Sequence, residues 1–369
     1  MTTIPKNSAA ARILRCIWKH PRSSRVVIAD RLGLDKSTVT NQVSNLIGKG
    51  IIEEIEEGES SVKGGRKPIH LGICKSYGRI LGIELQAKSW VALEVDLAGN
   101  ILAERRGKCH VNADNFVDIV QSITAESHTS VENGFGPLLG VGVGTGGLID
   151  SKQCRIRYSV PLAIYNPLEL AEQFAFKIPV PCFVENDANC CAWGELAFAR
   201  SDDPRNFIFA LVEYRPDVEA VHTHGGIGVG FGIVLGGKVY MGSHGNAGEF
   251  RSAFCDGSGA AQFSLPAQDL ARVFNDREVL EKVCDEFSRN LALLVNTMDF
   301  EHIFIGGDIE EPGIDFLSML RRRLEENWMY PFPKNIEIRY SSLGGRAVAY
   351  GAAGMLLDKL FSENLLHDF

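Results

Sequence analysis

Residues Asp35–Leu46 read DKSTVTNQVSNL, and this stretch decides what the front of the chain is. Val39, Val43, Leu46 and the following Ile47 stand at i, i+4, i+7 and i+8, which is one apolar stripe of a helix. Asp35 is an N-cap residue type directly ahead of that stripe, so the pattern predicts a helix beginning at Lys36. The opposite face carries Ser37, Thr38, Asn41, Gln42 and Asn45. These are short uncharged donors and acceptors, suited to reading base edges in a major groove. A polar face is more often simply that of a solvated helix, so the neighbouring segments decide between the two.

Upstream, Ala9–Lys19 is amphipathic with Ile13, Leu14, Ile17 and Trp18 inward, and His20-Pro21 ends it because the residue before proline disfavours helix. Ser23 or Ser24 caps a second helix through Leu32, and Gly33-Leu34 turns the chain into the opening stretch. Helix, short glycine-containing turn, helix is the helix-turn-helix pattern, whose second helix enters the groove. Downstream, a strand at Ile51–Ile55, an acidic tip at 56–61 and a return strand at Ile69–Ile73 form a wing. Lys63, Arg66 and Lys67 at its base are placed to neutralise phosphates or enter a minor groove. Residues 1–75 hold 13 Lys+Arg against 7 Asp+Glu, net +6, whereas the rest of the chain is net −14. Only the head is therefore expected to approach a polyanion, and the acidic body argues against an extended nucleic-acid channel.

The 369 residues suffice for two or three domains, and 45% hydrophobic with 23% charged residues is ordinary for a soluble chain. No apolar run is long enough to span a bilayer, and the N-terminus lacks the apolar core of a secretory signal, so no membrane partner is expected. Nine cysteines at irregular spacing read as reduced thiols, consistent with a cytoplasmic location.

From Arg79 onward, strands (Ile80–Leu85, Trp90–Asp96, Ile101–Arg105, Leu138–Gly144, Pro181–Glu185, Phe207–Glu213, Gly228–Leu235, His302–Ile305, Glu337–Tyr340) mix with helices at about Asn115–Ser130, Asp187–Arg200, Asp276–Asp299 and Val348–Leu360. Alternation with glycine-rich turns after strands predicts an α/β body, whose ligands sit at strand carboxyl ends.

Three stretches, VENDANCCAWGE at 184–195, GIGVGFGIVLGGKV at 226–239 followed by HGNAGE at 244–249, and IGGD at 305–308, together resemble the ROK family. That family joins sugar-responsive repressors to sugar kinases on an actin-like ATPase fold. The resemblance runs from about Tyr77 to the end, and the winged head with GGRKP at 64–68 looks like that of its transcriptional-regulator branch. It implies a winged helix-turn-helix at 1–75 and a two-lobed actin-like, ribonuclease H-like body. The lobes would be 76–195, completed by a helix at 346–369, and 196–345. In the family the Asn-Asp pair lies beside the sugar and its aspartate is the general base, which places Asp187 at that position, with Asn186 and Glu249 as sugar contacts. Asn166, before Pro167, is a further candidate contact. A carboxylate and a carboxamide on one loop suit adjacent ring hydroxyls, but either residue is also an ordinary cap for the helix that follows.

The chain also departs from the family's kinases. Their first phosphate loop, Asp-x-Gly-x-Thr, is here Glu84-Leu85-Gln86-Ala87-Lys88, and the second, Gly-Thr-Gly, is Gly226-Ile227-Gly228. Side chains at Gln86 and Lys88 would crowd a triphosphate, so ATP is not expected, and Gly228, Gly230 and Gly232 would survive as packing glycines. The family's zinc site needs a histidine and a cysteine cluster, whereas Ser252 takes the histidine position and only Cys255 stands nearby. Four Cys or His ligands are wanted; Cys190-Cys191 diverge on a helix, and His222, His224 and His244 are scattered, so no metal is expected. The reading is a regulator, a repressor in its branch, binding operator DNA as a homodimer or homotetramer and sensing a sugar with a degenerate kinase body. The alternatives are a sugar kinase with an added head and a regulator that reads a partner protein.

Overall fold

The computed structural model describes residues 8–57, 68–128, 136–198, 204–214, 226–257, 261–273, 275–310 and 313–363. In the head, α1 (Ala9–Lys19) is capped by the Ser8 hydroxyl, α2 (Arg25–Leu32) by Ser24, and α3 (Lys36–Gly48) by Asp35. Gly33 ends α2 in the left-handed conformation (φ 62°), which lets the chain turn directly into α3. Strands β1 (Ser23–Ser24), β2 (Ile52–Glu57) and β3 (Ile69–Ile73) pair antiparallel in the order β1-β3-β2, with β2 and β3 the two legs of the wing. Val39, Val43 and Leu46 are buried as the spacing requires, against Ile13, Leu14, Ile17 and Ile28. Val27 of α2 is exposed, because the helix turns Ile28 and Ala29 to the core.

The body holds two five-stranded sheets. The first comprises β4 (Arg79–Leu85), β5 (Ser89–Asp96), β6 (Ile101–Lys108), β7 (Leu138–Thr145) and β11 (Cys182–Asn186), in the order β11-β7-β4-β5-β6. The second comprises β12 (Phe207–Tyr214), β13 (Ile227–Leu235), β14 (Lys238–Val239), β15 (His302–Gly307) and β16 (Glu337–Tyr340), in the order β14-β13-β12-β15-β16. In both, the first three strands form an antiparallel meander and the last two add in parallel on the other side of the first strand. The same topology thus occurs twice, as a two-lobed ribonuclease H-like body requires. A small sheet of β8 (Leu148–Asp150), β9 (Arg155–Tyr158) and β10 (Leu168–Glu169) is inserted after β7.

Helix α4 (Phe116–His128) fits the predicted segment, whose end at Ser130 lies outside the described residues; α5 (Ala171–Lys177) follows the inserted sheet. In the second lobe α7 (Arg277–Met298) is capped by Asp276, and α8 (Phe316–Glu326) by Asp315. Sequence reading passed over α5, α8 and the inserted sheet. The signal for α8 was Asp315 followed by Phe316, Leu320 and Leu324 at i, i+4 and i+8, all buried.

Two helices of small residues fill the space between the sheets: α6 (Asp187–Phe198, DANCCAWGELAF) and the C-terminal α9 (Ala347–Glu363, AVAYGAAGMLLDKLFSE). A Cβ at Gly82 or Gly142 would collide with the Ala349 or Ala352 carbonyl of α9, one at Gly232 with the Ala188 carbonyl of α6, and one at Gly351 with the Cys190 carbonyl. Gly230 and Gly232 are therefore packing glycines against α6. The head rests on the far ends of the same two helices. Trp18 packs edge-on to Phe198 and Phe361 at 6.3 and 5.2 Å, Arg15 pairs with Asp358 at 2.7 Å, and Lys19 donates to the Leu196 carbonyl.

Gly351→Ala tests this packing. The added methyl has no room at the α6–α9 crossing, so we expect a loss of about 2–3 kcal/mol, read as a lower thermal midpoint; an unchanged midpoint would disprove the close approach.

Candidate functional site

A helix that reads DNA must present side chains with bonding capacity to spare. On α3, Ser37, Asn41 and Asn45 are exposed on the face away from Val39, Val43 and Leu46, and Thr38 and Gln42 are half-buried on its flank. The Ser37 and Thr38 hydroxyls both donate to the Asp35 carboxylate, at 2.5 and 2.6 Å, and the Thr38 amide joins them at 2.8 Å. Those bonds hold the Asp35 carboxyl well below its ordinary pKa. Ser37 and Thr38 keep acceptor lone pairs outward, whereas Asn41, Gln42 and Asn45 carry the carboxamides able to make paired contacts. Lys63, Arg66 and Lys67, between β2 and β3 in sequence, lie outside the described residues.

The second site lies where β4, β12 and the start of α6 converge. Asn186 is the last residue of β11, and its Oδ1 accepts from the Asn189 amide at 3.1 Å, closing the first turn of α6 as an Asx cap. Its Nδ2 donates to the Gly147 carbonyl at 3.1 Å. The cap reading of Asn186 is thus met, and its carboxamide retains one N–H and lone pairs for a ligand. Asp187 is buried, with Oδ1 accepting from the Ala188 amide at 2.8 Å.

Two further carboxyls join Asp187 from across the chain. Glu84, at the end of β4, is buried, and Glu213 stands on β12 of the other lobe. Gln86 Nε2 bridges them, donating to Glu84 at 2.8 Å and to Glu213 at 3.2 Å. Burial pushes the Glu84 carboxyl up to about 8, the charges of Glu213 and Asp187 adding to the rise while the Gln86 bond and Arg106 oppose it. Glu185 is likewise raised by burial, against bonds from the Asn186 amide and the Asn189 side chain.

Glu249 comes from the second lobe: it pairs with Gly230 of β13, and a Cβ at Gly230 would lie 3.1 Å from the Ala188 methyl, which follows Asp187 in the first turn of α6. Gly248 fixes this approach: its φ is 95°, its carbonyl accepts from the Phe231 amide at 2.9 Å, and a side chain would strike the Phe231 carbonyl. The Glu249 side chain is exposed; the packed surroundings of its carboxyl raise its pKa and Arg157 of β9 opposes the rise. Arg157 also bonds Asn246, tying the 240–249 loop to the inserted sheet. Asn166 is exposed in the turn before Pro167, and none of these bonds reaches it.

At the family's zinc position, Ser252 is buried and its hydroxyl accepts from Asn290 Nδ2 at 3.0 Å, while the Cys255 thiol points to the carbonyls of Ala261 and Gln262. Among the described residues no group of three or more His, Cys, Asp or Glu side chains could hold a metal ion, and His222 and His224 lie outside them. Among the described residues no helix is long and apolar enough to cross a membrane. Glu213, Arg157 and the bridging role of Gln86 escaped sequence reading because the Gln86–Glu213 and Arg157–Asn246 bonds span 127 and 89 residues; the available hint was Glu84 and Gln86 in the phosphate-loop position.

The family model described as "ROK family" matches residues 80–251, and that described as "Winged helix-turn-helix DNA-binding" matches 10–53. The chain is 25% identical to the xylose repressor of Bacillus spizizenii over 94% of each protein. It is 23% identical to the DNA-binding transcriptional dual regulator NagC of Escherichia coli over 98% of this chain and 94% of that one. Among solved structures, a ROK family transcriptional regulator, a homolog of the E. coli MLC protein, superposes with TM-score 0.77 at 20% identity over 98% of both chains. A ROK family glucokinase from Streptomyces griseus, bound to glucose and AMPPNP, gives 0.57 at 21% identity over 75% of this chain and 99% of its own.

The raised Glu84 carboxyl makes stability depend on pH. The folded chain keeps this proton up to about pH 8 while the unfolded chain loses it near 4.5, so the contribution is full below 4.5 and lost as pH rises through about 8. Glu84→Gln, neutral at every pH, should raise stability by at least about 1 kcal/mol at about pH 8.5 and by less toward about pH 5. Thermal melts across that range check it; an equal gain at both ends would refute the assignment.

Proposed function

From a chain that carries a ROK family domain behind an N-terminal winged helix-turn-helix, we infer a DNA-binding transcriptional repressor of carbohydrate genes, with a sugar or sugar derivative as effector. Operator DNA meets α3 and the wing, and the effector sits between the lobes at Asp187, Asn186 and Glu249. The observation that carries this reading is the course of α6: it starts at the Asn186-Asp187 pair and ends against the head, where Leu196 and Phe198 meet Lys19 and Trp18. One rigid helix of 12 residues thus joins the sensor to the output. A ligand that draws the lobes together acts on α6, and through it on the head. Two heads in a homodimer or homotetramer would then lose their match to paired half-sites.

The two sequence relatives named above are a repressor and a transcriptional dual regulator, and the cleft favours no phosphoryl transfer. Gln86, held between Glu84 and Glu213, occupies the turn that would cradle phosphates, and the Glu213 and Asp187 carboxylates repel a triphosphate. The likeness to the glucokinase fold and the position of Asp187 support the kinase alternative. An ATP-consumption assay over a panel of monosaccharides separates them, and turnover abolished by Asp187→Asn would establish the kinase.

The repressor reading is tested by fluorescence anisotropy with promoter DNA from neighbouring sugar-transport genes at fixed salt. D-xylose, N-acetyl-D-glucosamine or another sugar of the panel should weaken binding at least tenfold, about 1.4 kcal/mol of coupling. Trp18→Ala should keep both affinities and lose most of the coupling. Asn45→Ala or Gln42→Ala should relax sequence preference by about 1–3 kcal/mol. Arg66→Ala should weaken all DNA alike and lower the salt slope by about one. Specific binding absent from every promoter fragment would sink the reading.

A further inference from the structure

The loop that presents Glu249 has to be held in place by something, and the side chain that does so is Gln262. Its Nε2 donates to the Val229 carbonyl at 2.7 Å and the Phe250 carbonyl at 2.8 Å, while Oε1 accepts from the Val229 amide at 2.7 Å. Both N–H donors of the carboxamide are spent on backbone, one on β13 and one on the residue after Glu249. The Gln262 main chain takes the other end of the segment, its carbonyl accepting from the Ser252 amide at 2.8 Å. Asn290 of α7 continues the network through the Ala253 amide at 2.8 Å and the Ser252 hydroxyl at 3.0 Å. Phe250 and Phe263 on either side are buried together, their ring centroids 5.4 Å apart.

We propose that Gln262 is the positioning residue of the effector site, a metal-free clamp that fixes the Glu249 segment on β13. It does so where the family resemblance calls for zinc and where Ser252 and a lone thiol do not fit one. Gly248 and Phe250, the neighbours of Glu249, are both bonded to β13 or to the side chain that clamps it, so releasing Gln262 frees the carboxylate between them. The site's role as an effector site rests on the function inferred above; the clamp itself does not.

The test is hydrogen exchange by mass spectrometry on the full chain, combined with titration of D-xylose and N-acetyl-D-glucosamine. Gln262→Ala should speed exchange over 248–253 about tenfold, with α3 unchanged, and EDTA or 1,10-phenanthroline should leave the wild-type chain as it was. Gln262→Glu keeps the size but loses both donors, so it should exchange at least as fast as the alanine variant; it serves alone if that variant fails to fold. Either sugar that binds the wild type should bind both variants about tenfold more weakly, with operator affinity of the ligand-free protein changed less than about twofold. Unchanged exchange in the variants, faster exchange in the wild type under chelator, or equal sugar affinity overturns the clamp. If exchange responds as expected and neither sugar binds, the clamp stands for the loop and the choice of effector falls separately.

Discussion

The crossing of α6 and the C-terminal helix is the contact on which the rest of the molecule depends. Gly351 lies so close to the Cys190 carbonyl that the two helices behave as one layer, and each is seated on a different sheet through glycine: α9 on Gly82 and Gly142, α6 on Gly232. Close-packed interiors do not deform continuously, so the lobes can move relative to one another only by sliding or tilting this layer. Whatever stabilises one lobe arrangement therefore selects one position of both helices. The head, seated on Phe198, Leu196, Phe361 and Asp358, takes its orientation from that position.

The same layer explains why a carboxyl cluster is tolerated at the cleft. Asp187 lies in the first turn of α6, where the helix end carries partial positive charge. Glu84 has no such relief and is kept protonated near neutral pH by burial and by its acidic neighbours. A proton on Glu84 and the Gln86 carboxamide between it and Glu213 ease the repulsion among these carboxyls.

Local rules made the head legible in the sequence almost to the residue. Asp35 caps α3, Gly33 turns left-handed, and the stripe of Val39, Val43 and Leu46 is buried. Each follows from interactions within a few positions, where periodicity and capping chemistry suffice. The strands of the body were readable for the same reason. What escaped was set by pairings distant in sequence: Gln86 with Glu213, Arg157 with Asn246, and Gln262 with Val229 and Phe250. No spacing rule announces these bonds. The α8 helix was lost differently, since RRRLEE at 321–326 dilutes its three apolar anchors below what a polar loop shows. Asn186 marks the middle case, because the sequence offered both cap and ligand roles and the geometry allows one carboxamide to serve the first while keeping capacity for the second.

A winged head joined to its sensor only by a flexible tether could not report ligand binding, since the tether would absorb any movement of the body. Here the first helix of the head is itself part of the body's packing. Trp18 shares a hydrophobic cluster with Leu356, Leu360 and Phe361 of the C-terminal helix and with Leu97 and Leu139 of the first lobe. Rotating the head away from that surface would expose a buried tryptophan and break the Arg15–Asp358 pair, so its seated orientation is favoured by more than the entropy of a short linker. Coupling is then a matter of which orientation the α6–α9 layer offers. On the proposed function, reciprocity would follow without further machinery: DNA holding two heads at fixed spacing would favour one lobe arrangement and so disfavour a ligand that selects the other.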